Sequence, residues 1–155
     1  QRQMCIRDRI ASAAKHLDIP VLLTEQYPKG LGHTVPQLQA VLPQGSEVVE
    51  KTYFNALMED GMLEKIKSYG KRQIVIFGIE THICVHQTAS ALVEEGFDVY
   101  VVKDACASRA KYEFKQGIDA MAANGVKVSC VEIALFEWLK GAKNPKFKEV
   151  QALIK

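Results

Sequence analysis

The sequence has no pair of cysteines spaced as C-x-x-C and no long apolar run. Its cysteines are scattered along the chain, at Cys5, Cys84, Cys106 and Cys130. That spacing argues against structural zinc sites, thioredoxin-type dithiols and disulfide-rich secreted scaffolds. No apolar stretch approaches the length of a membrane-spanning helix. We therefore expect free thiols, no association with membranes and a cytoplasmic protein.

The sequence also has little excess of positive over negative charge. The formal net charge is +2 over 155 residues, and lysines and arginines form no dense block. Nucleic acid is therefore not an expected partner. The sequence contains no P-loop and no G-x-G-x-x-G motif after a strand, so nucleotide binding has no support. The length and the ordinary proportion of apolar residues fit one globular domain.

Strand patterns alternate with helix patterns along the chain. The clearest strands are the near-continuous apolar segments VLLTE, QIVIFGI and DVYVVKDA. Such runs are typical of parallel strands that are covered on both faces. The alternation predicts an α/β fold, a doubly wound, Rossmann-like parallel sheet with helices on both faces.

Prolines, glycines and capping residues indicate where the other predicted loops and helices begin and end. Residues 26–38 hold two prolines and two glycines and predict a loop. Asn55 is predicted to cap a helix that runs to about Tyr69. Cys130 falls inside a predicted strand and is expected to be core, while Cys106 follows a strand end and is expected to pack.

One segment, GIETHICVHQTASALVEEG, places Cys84 where a strand pattern gives way to a helix pattern. Ligands of open α/β sheets bind beyond the carboxyl ends of the strands. In the first turn of a helix, backbone N–H groups and the helix dipole favour a thiolate. A small buried apolar residue is an equally good reading of the spacing alone.

Other groups near the strand ends give weaker signals. Lys51 precedes an aromatic pair and could stabilise negative charge if buried, although a solvated lysine is the commoner case. His82 and His86 bracket Cys84 at a separation of two residues, which does not place side chains on one helix face. They also lack a third metal ligand. The carboxylates Glu25 and Asp104 are expected to cap loops.

Four segments carry a resemblance to a known family. GIETHICVHQTA resembles the nucleophile segment of the isochorismatase-like cysteine hydrolases. VLLTEQYPKGLGHTVPQL, EKTYFNAL and VYVVKDACASR resemble three further family segments, in the same order. The nearest subgroup is the eukaryotic isochorismatase-domain-containing proteins. The resemblance runs from about residue 10 to the end of the chain.

The resemblance implies a Cys-Lys-Asp triad that attacks an amide or another electrophilic carbon. It assigns the nucleophile to Cys84 and the supporting lysine to Lys51. It also implies a cis peptide between Ile79 and Glu80, with the N–H groups of Glu80 and Cys84 forming an oxyanion hole. The residues implied to line the substrate pocket are Gln26, Tyr27, Phe54 and Thr81. The family also implies a homo-oligomer.

The sequence departs from the family in two places. It has no DMQ-like segment, so the triad aspartate and the first, central strand are expected to be missing, and Asp8 is no substitute. We therefore leave residues 1–9 unassigned and take residues 10–155 as an N-terminally truncated isochorismatase-like domain, which is expected to be inactive as given. The nicotinamidase metal motif is reduced to His33, so no metal and no cofactor are expected.

These observations predict a cysteine hydrolase acting on a small amide or related molecule. One alternative is a non-catalytic binding or scaffolding member that lacks the triad aspartate. Another is a redox-sensing thiol, for which Cys106 is the only resolving cysteine that could approach Cys84.

Overall fold

The computed structural model describes the backbone of residues 2–154 and the side chains of residues 6–154. Cys5 lies outside the described side chains. The first helix, α1, spans Arg2–His16, and Ile6 packs against the core. The helix thus begins earlier than its sequence pattern, while the assignment of residues 1–9 to a separate segment stays a prediction.

Within residues 2–154 the strands form two parallel sheets. Strand β1 (Leu22–Gln26) pairs with β2 (Glu47–Lys51), and the order of the second sheet is β3 (Gln73–Ile76), β4 (Asp98–Val102), β5 (Lys127–Ser129). No hydrogen-bonded strand joins β1 to β3 in this part of the chain. The prediction of a parallel α/β fold is confirmed, while the loss of a central strand stays a prediction.

Helices cover both faces of the second sheet because its strands are apolar on both sides. The remaining helices are α2 (Pro28–Leu31), α3 (Pro36–Val41), α4 (Met62–Ser68), α5 (His86–Glu94), α6 (Lys111–Ala123), α7 (Val131–Leu139) and α8 (Phe147–Ala152). Val99 and Val101 of β4 pack with α5 and α6, whereas Val102 packs with α1, α7 and α8. Each such valine contributes roughly 1.5–3 kcal/mol when fully buried. None of the helices within residues 2–154 combines the length and hydropathy that crossing a bilayer requires.

Two predictions about the chain between β1 and β3 are wrong. Residues 26–38 are not simply a loop, since they contain α2 and the start of α3, and each of these helices begins with a proline. Proline at the first helical position has a φ that suits a helix, and its missing N–H would have had no acceptor within the helix. Proline therefore starts these helices, whereas the sequence pattern predicts that it interrupts them. The helix predicted from Asn55 is split, because Gly61 takes a φ of 76° between a short 3₁₀ turn and α4.

The expected place of Cys130 also needs correction. Strand β5 ends at Ser129, and Cys130 lies half-buried as the residue before α7. Valines stand on both sides of this position, at Val128 and Val131, but the strand ends one residue before Cys130.

Candidate functional site

The carboxyl ends of β1, β2 and β3 bring the predicted site residues together. Gln26 and Lys51 end neighbouring parallel strands and are direct partners in the register. After β3 the chain makes a π-helical turn, Thr81–Val85, that leads directly into α5. Cys84 lies in this π-turn, partly exposed, at the sheet-to-helix transition that the sequence predicted.

Lys51 is buried, with 5% of its surface exposed. Its ammonium donates to the side-chain oxygen of Gln26 at 2.5 Å and to the backbone oxygens of Tyr53 at 2.9 Å and Phe54 at 3.2 Å. These bonds use all three donors of the ammonium, which offsets the cost of removing it from water. A solvated lysine, the commoner case for an isolated sequence position, is therefore not what the fold produces.

Cys84 contacts this lysine group through Gln26. The Cys84 sulfur lies 3.9 Å from the Gln26 side-chain oxygen, the same atom that accepts from Lys51. In the part of the chain whose side chains are described, no carboxylate hydrogen-bonds either Cys84 or the Lys51 ammonium. The site therefore joins a thiol and a buried cation without a carboxylate base.

The segment before the π-turn has an unusual backbone. The peptide bond between Ile79 and Glu80 is cis. Thr81 N–H donates to Ala107 O, and Ala107 N–H donates to Gly78 O, which ties this segment to the chain after β4. Among the described residues no acceptor is present for the Glu80 N–H. The oxyanion-hole role of Glu80 and Cys84 stays a prediction.

Side chains reinforce the same connection. The Glu80 carboxylate accepts from the Arg109 N–H at 3.0 Å, and His82 Nδ1 lies 2.9 Å from the Ser108 hydroxyl and 3.7 Å from the Glu80 carboxylate. His82 therefore supports the loop rather than Cys84. The sequence analysis did not assign a role to Ser108, although it lies in the family-like segment VYVVKDACASR.

The approach of α6 to the π-turn depends on one glycine. A Cβ built on Gly117 would lie 2.8 Å from His82 Cα, 2.9 Å from His82 N and 3.0 Å from the carbonyl carbon of Thr81. All three are backbone atoms, so no side chain can move away to make room. Gly117 thus sets how closely α6 supports the segment that holds Cys84.

The residues implied to line a substrate pocket differ in exposure. Tyr27 and Phe54 are 55% and 54% exposed, whereas Thr81 is fully buried and its hydroxyl has no partner among the described residues. Gln26 is partly buried and bonded to protein groups. Contact of these four residues with substrate stays a prediction.

Of the two carboxylates predicted to cap loops, Glu25 does so, whereas Asp104 caps the start of a helix. Glu25 accepts from the Thr34 N–H and contacts His33 Nδ1, both at 2.8 Å, and these bonds hold the pKa of its carboxyl below the ordinary range. Asp104 accepts from the Val131 N–H at the start of α7. Within the described side chains, histidines, cysteines and carboxylates form no group of three that could hold a metal ion. The expectation of a metal-free site stays a prediction.

Cys106 has a different environment from Cys84. It is fully buried, and burial raises the pKa of its thiol to about 11. It borders a cavity of about 380 Å³ that also touches Phe114 and Cys130. A second cavity of about 210 Å³ lies beside Ser108 and Phe114. Cys84 and Lys51 line neither of these two cavities.

Comparison with known families decides what kind of domain this is. The model of the isochorismatase domain matches residues 6–133. The chain belongs to the isochorismatase domain family. Isochorismatase domain-containing protein 2 of Xenopus laevis is 42% identical over 146 residues, covering 94% of this chain and 70% of that protein. Isochorismatase domain-containing protein 1 of Salmo salar is 37% identical over 150 residues and covers 97% of this chain. The chain spans 52% of the length of the Salmo salar protein.

Solved structures share the isochorismatase-type fold. A Caenorhabditis elegans protein described as MAR1 ribonuclease has a TM-score of 0.93 and 37% identity, covering 99% of this chain and 78% of that one. YcaC of Pseudomonas aeruginosa, solved with hexane-2,5-diol and covalent acrylamide, has a TM-score of 0.91 and 25% identity, with coverages of 98% and 77%. Escherichia coli YcaC, described as an octameric hydrolase of unknown specificity, has a TM-score of 0.91 and 26% identity, with coverages of 99% and 75%.

Proposed function

We propose that this isochorismatase-family domain is a cysteine hydrolase that uses Cys84 as its nucleophile on a small amide or related molecule. The observation that carries the proposal is the position of Lys51, a buried cation bonded to the same oxygen that the Cys84 thiol contacts. A nearby positive charge favours the thiolate, the form of cysteine that attacks carbon.

In the proposed reaction the Cys84 sulfur bonds to the amide carbon and gives a tetrahedral oxyanion. The N–H groups of Glu80 and Cys84 would donate to that oxygen. Collapse breaks the carbon–nitrogen bond, and the amine leaves with a proton supplied by water. Water then hydrolyses the thioester, releasing the acid and restoring the thiol.

The covalent acrylamide in Pseudomonas aeruginosa YcaC supports a nucleophilic role for a residue of this fold. Acrylamide is both a small amide and an electrophile, so its covalent capture by that protein is in keeping with a nucleophile in this fold. We extend that chemistry to Cys84 of this chain as a proposal.

Because no described carboxylate hydrogen-bonds Cys84 or the Lys51 ammonium, we propose that this chain is inactive by itself. The test is to fuse a family first strand carrying the DMQ-like aspartate and to measure hydrolysis of a panel of small amides. Turnover is expected in the fusion and is expected to be lost in its Cys84→Ser variant. No turnover with any amide, together with an ordinary slow thiol, would favour the non-catalytic scaffold.

The name of the Caenorhabditis elegans neighbour adds one substrate to the panel. RNA is included because that protein is described as a ribonuclease. The net charge of +2 and the lack of a dense basic block argue against RNA for this chain. RNA cleavage that survives Cys84→Ser would contradict the proposed amide chemistry.

We also infer that the protein forms a homo-oligomer in the cytoplasm. Tyr27, Tyr53, Phe54 and Ile79 are each more than half exposed around the strand ends, and self-association would cover such apolar surface. The octameric Escherichia coli neighbour gives a precedent for assembly in this fold. Sedimentation of the purified chain as a monomer at micromolar concentration would contradict the inference.

A further inference from the structure

The side chain of Gln26 connects the two parts of the candidate site. Its amide nitrogen donates to the Thr52 backbone oxygen at 2.7 Å. Its amide oxygen accepts from the Lys51 ammonium at 2.5 Å and lies 3.9 Å from the Cys84 sulfur. The orientation of the amide is fixed, because a flipped group would turn its NH₂ towards the ammonium and its oxygen towards a carbonyl.

The other two bonds of Lys51 hold the ammonium on the side of β2. Both are to backbone oxygens of the loop that follows this strand, at Tyr53 and Phe54. The third bond goes to the Gln26 side-chain oxygen, which is the atom that contacts the Cys84 sulfur. The ammonium nitrogen and the sulfur are therefore no more than about 6.4 Å apart, the largest separation that their distances of 2.5 and 3.9 Å to the shared oxygen allow.

We propose that Gln26 is a positioning residue that fixes the Lys51 ammonium relative to the Cys84 thiol. This inference rests on the proposed roles of Cys84 and Lys51, and it gives Gln26 a function other than lining a substrate pocket. A positive charge close to a thiol favours the thiolate and so speeds its alkylation. The thiol is only a weak hydrogen-bond donor, so the placement of the charge outweighs the direct contact between sulfur and oxygen.

The inference is tested by a double-mutant cycle read out on the thiol itself. The rate of alkylation of Cys84 by iodoacetamide at pH 7 is followed by mass spectrometry of the tryptic peptide 73–103, in which Cys84 is the only cysteine. The alkylation rate of the protein with Lys51 is divided by the rate of the matching Lys51→Met variant. This rate ratio is measured with Gln, Leu or Glu at position 26. Leu removes the acceptor, whereas Glu keeps both the shape and the acceptor oxygen.

The ratio is expected to be about tenfold with Gln26, about twofold or less in Gln26→Leu, and tenfold or more in Gln26→Glu. Gln37→Leu, at an exposed position on α3, is the matched control and should keep the tenfold ratio. Circular dichroism checks each fold, and Lys51→Gln, which removes the charge but keeps donors, replaces Lys51→Met if that variant unfolds.

The same ratio in Gln26→Leu as with Gln26, or an equal loss in the Leu and Glu variants, would overturn the positioning role. Because no substrate is used, this result is separate from the test of hydrolysis. An inactive fusion with the expected ratios would remove the proposed reaction but leave the role of Gln26. A ratio near one with Gln26 itself would overturn both.

Discussion

At the scale of single residues, the three described cysteines differ in what surrounds them. Cys84 lies partly exposed in the π-turn near a buried lysine, Cys106 is fully buried, and Cys130 is half-buried before α7. Reactivity of a thiol follows its access and its nearby charges, and Cys84 combines partial exposure with the nearby Lys51 ammonium. The sequence predicts packing for Cys106, which is buried, but it leaves Cys84 open between a nucleophile and a packed residue and misplaces Cys130.

The buried thiol of Cys106 predicts a stability change at high pH. Burial raises its pKa from 9.0 to about 11, with a smaller opposing contribution from a hydrogen bond to the Gly78 backbone. The unfolded chain therefore ionises this thiol first, so the contribution is complete below pH 9 and is lost as the pH rises through 11. The loss amounts to about 2–3 kcal/mol of unfolding free energy.

Urea unfolding at pH 8 and pH 11 measures this change. The fall in unfolding free energy between the two pH values is expected to be smaller in Cys106→Ala, because lysines and tyrosines titrate equally in both proteins. An equal fall in the variant and the parent would show that the Cys106 thiol is not the group responsible.

At the scale of elements, α6 and the π-turn are in backbone contact at Gly117. Gly117→Ala is expected to destabilise the fold by about 1–3 kcal/mol, although alanine is the better helix former, because the new methyl group meets backbone atoms at 3.0 Å or less. The displaced π-turn is also expected to slow alkylation of Cys84. Urea unfolding and peptide mass spectrometry measure the two effects.

Gly141→Ala is the control for this substitution. A Cβ at Gly141 would meet no atom within 4 Å, so this variant should keep both the stability and the thiol reactivity of the parent. A Gly117→Ala protein as stable as the Gly141→Ala protein would contradict the close packing of α6 on the π-turn.

At the scale of the whole molecule, side chains link the two sheets, which share no strand within residues 2–154. The Thr88 hydroxyl of α5 accepts from the Ala56 N–H at 3.0 Å and lies 3.5 Å from the Phe54 oxygen, in a buried position. At the candidate site, the contact between the Gln26 oxygen and the Cys84 sulfur also links the two sheets. The distance between Lys51 and Cys84 therefore depends on how the β1–β2 sheet is held against the β3–β4–β5 sheet.

Thr88→Val tests this connection. Valine keeps the shape but leaves the Ala56 N–H buried without its acceptor, which is expected to cost about 1–3 kcal/mol in urea unfolding. The same change at Thr24, an exposed position on β1, is expected to alter stability by less than about 0.5 kcal/mol. Equal effects at the two positions would show that the Thr88 bond does not join the sheets.

Much of the fold follows from local patterns in the sequence. The strands of the second sheet are continuous apolar runs, and their helices end at glycines that the pattern identifies, such as Gly96 and Gly125. The helices α2 and α3 were missed because their prolines stand at the first helical position, where this residue starts a helix instead of breaking one.

The candidate site is less predictable because it depends on contacts between distant segments. Cys84 and Lys51 were identified by family resemblance, while residue-level reasoning favoured a solvated lysine. The bond between Gln26 and Lys51 follows from the register of β1 and β2, which no local pattern specifies. The close approach at Gly117 likewise requires the packed position of α6.

The most direct test of the central claim is to measure where a limiting amount of acrylamide reacts at neutral pH. Peptide mass spectrometry of the native protein is expected to find the adduct on Cys84 at least about ten times as fast as on Cys130, which is similarly half-buried but makes no described contact with an oxygen that binds a lysine ammonium. Equal rates at Cys84 and Cys130 would contradict the assignment of Cys84 as the activated nucleophile.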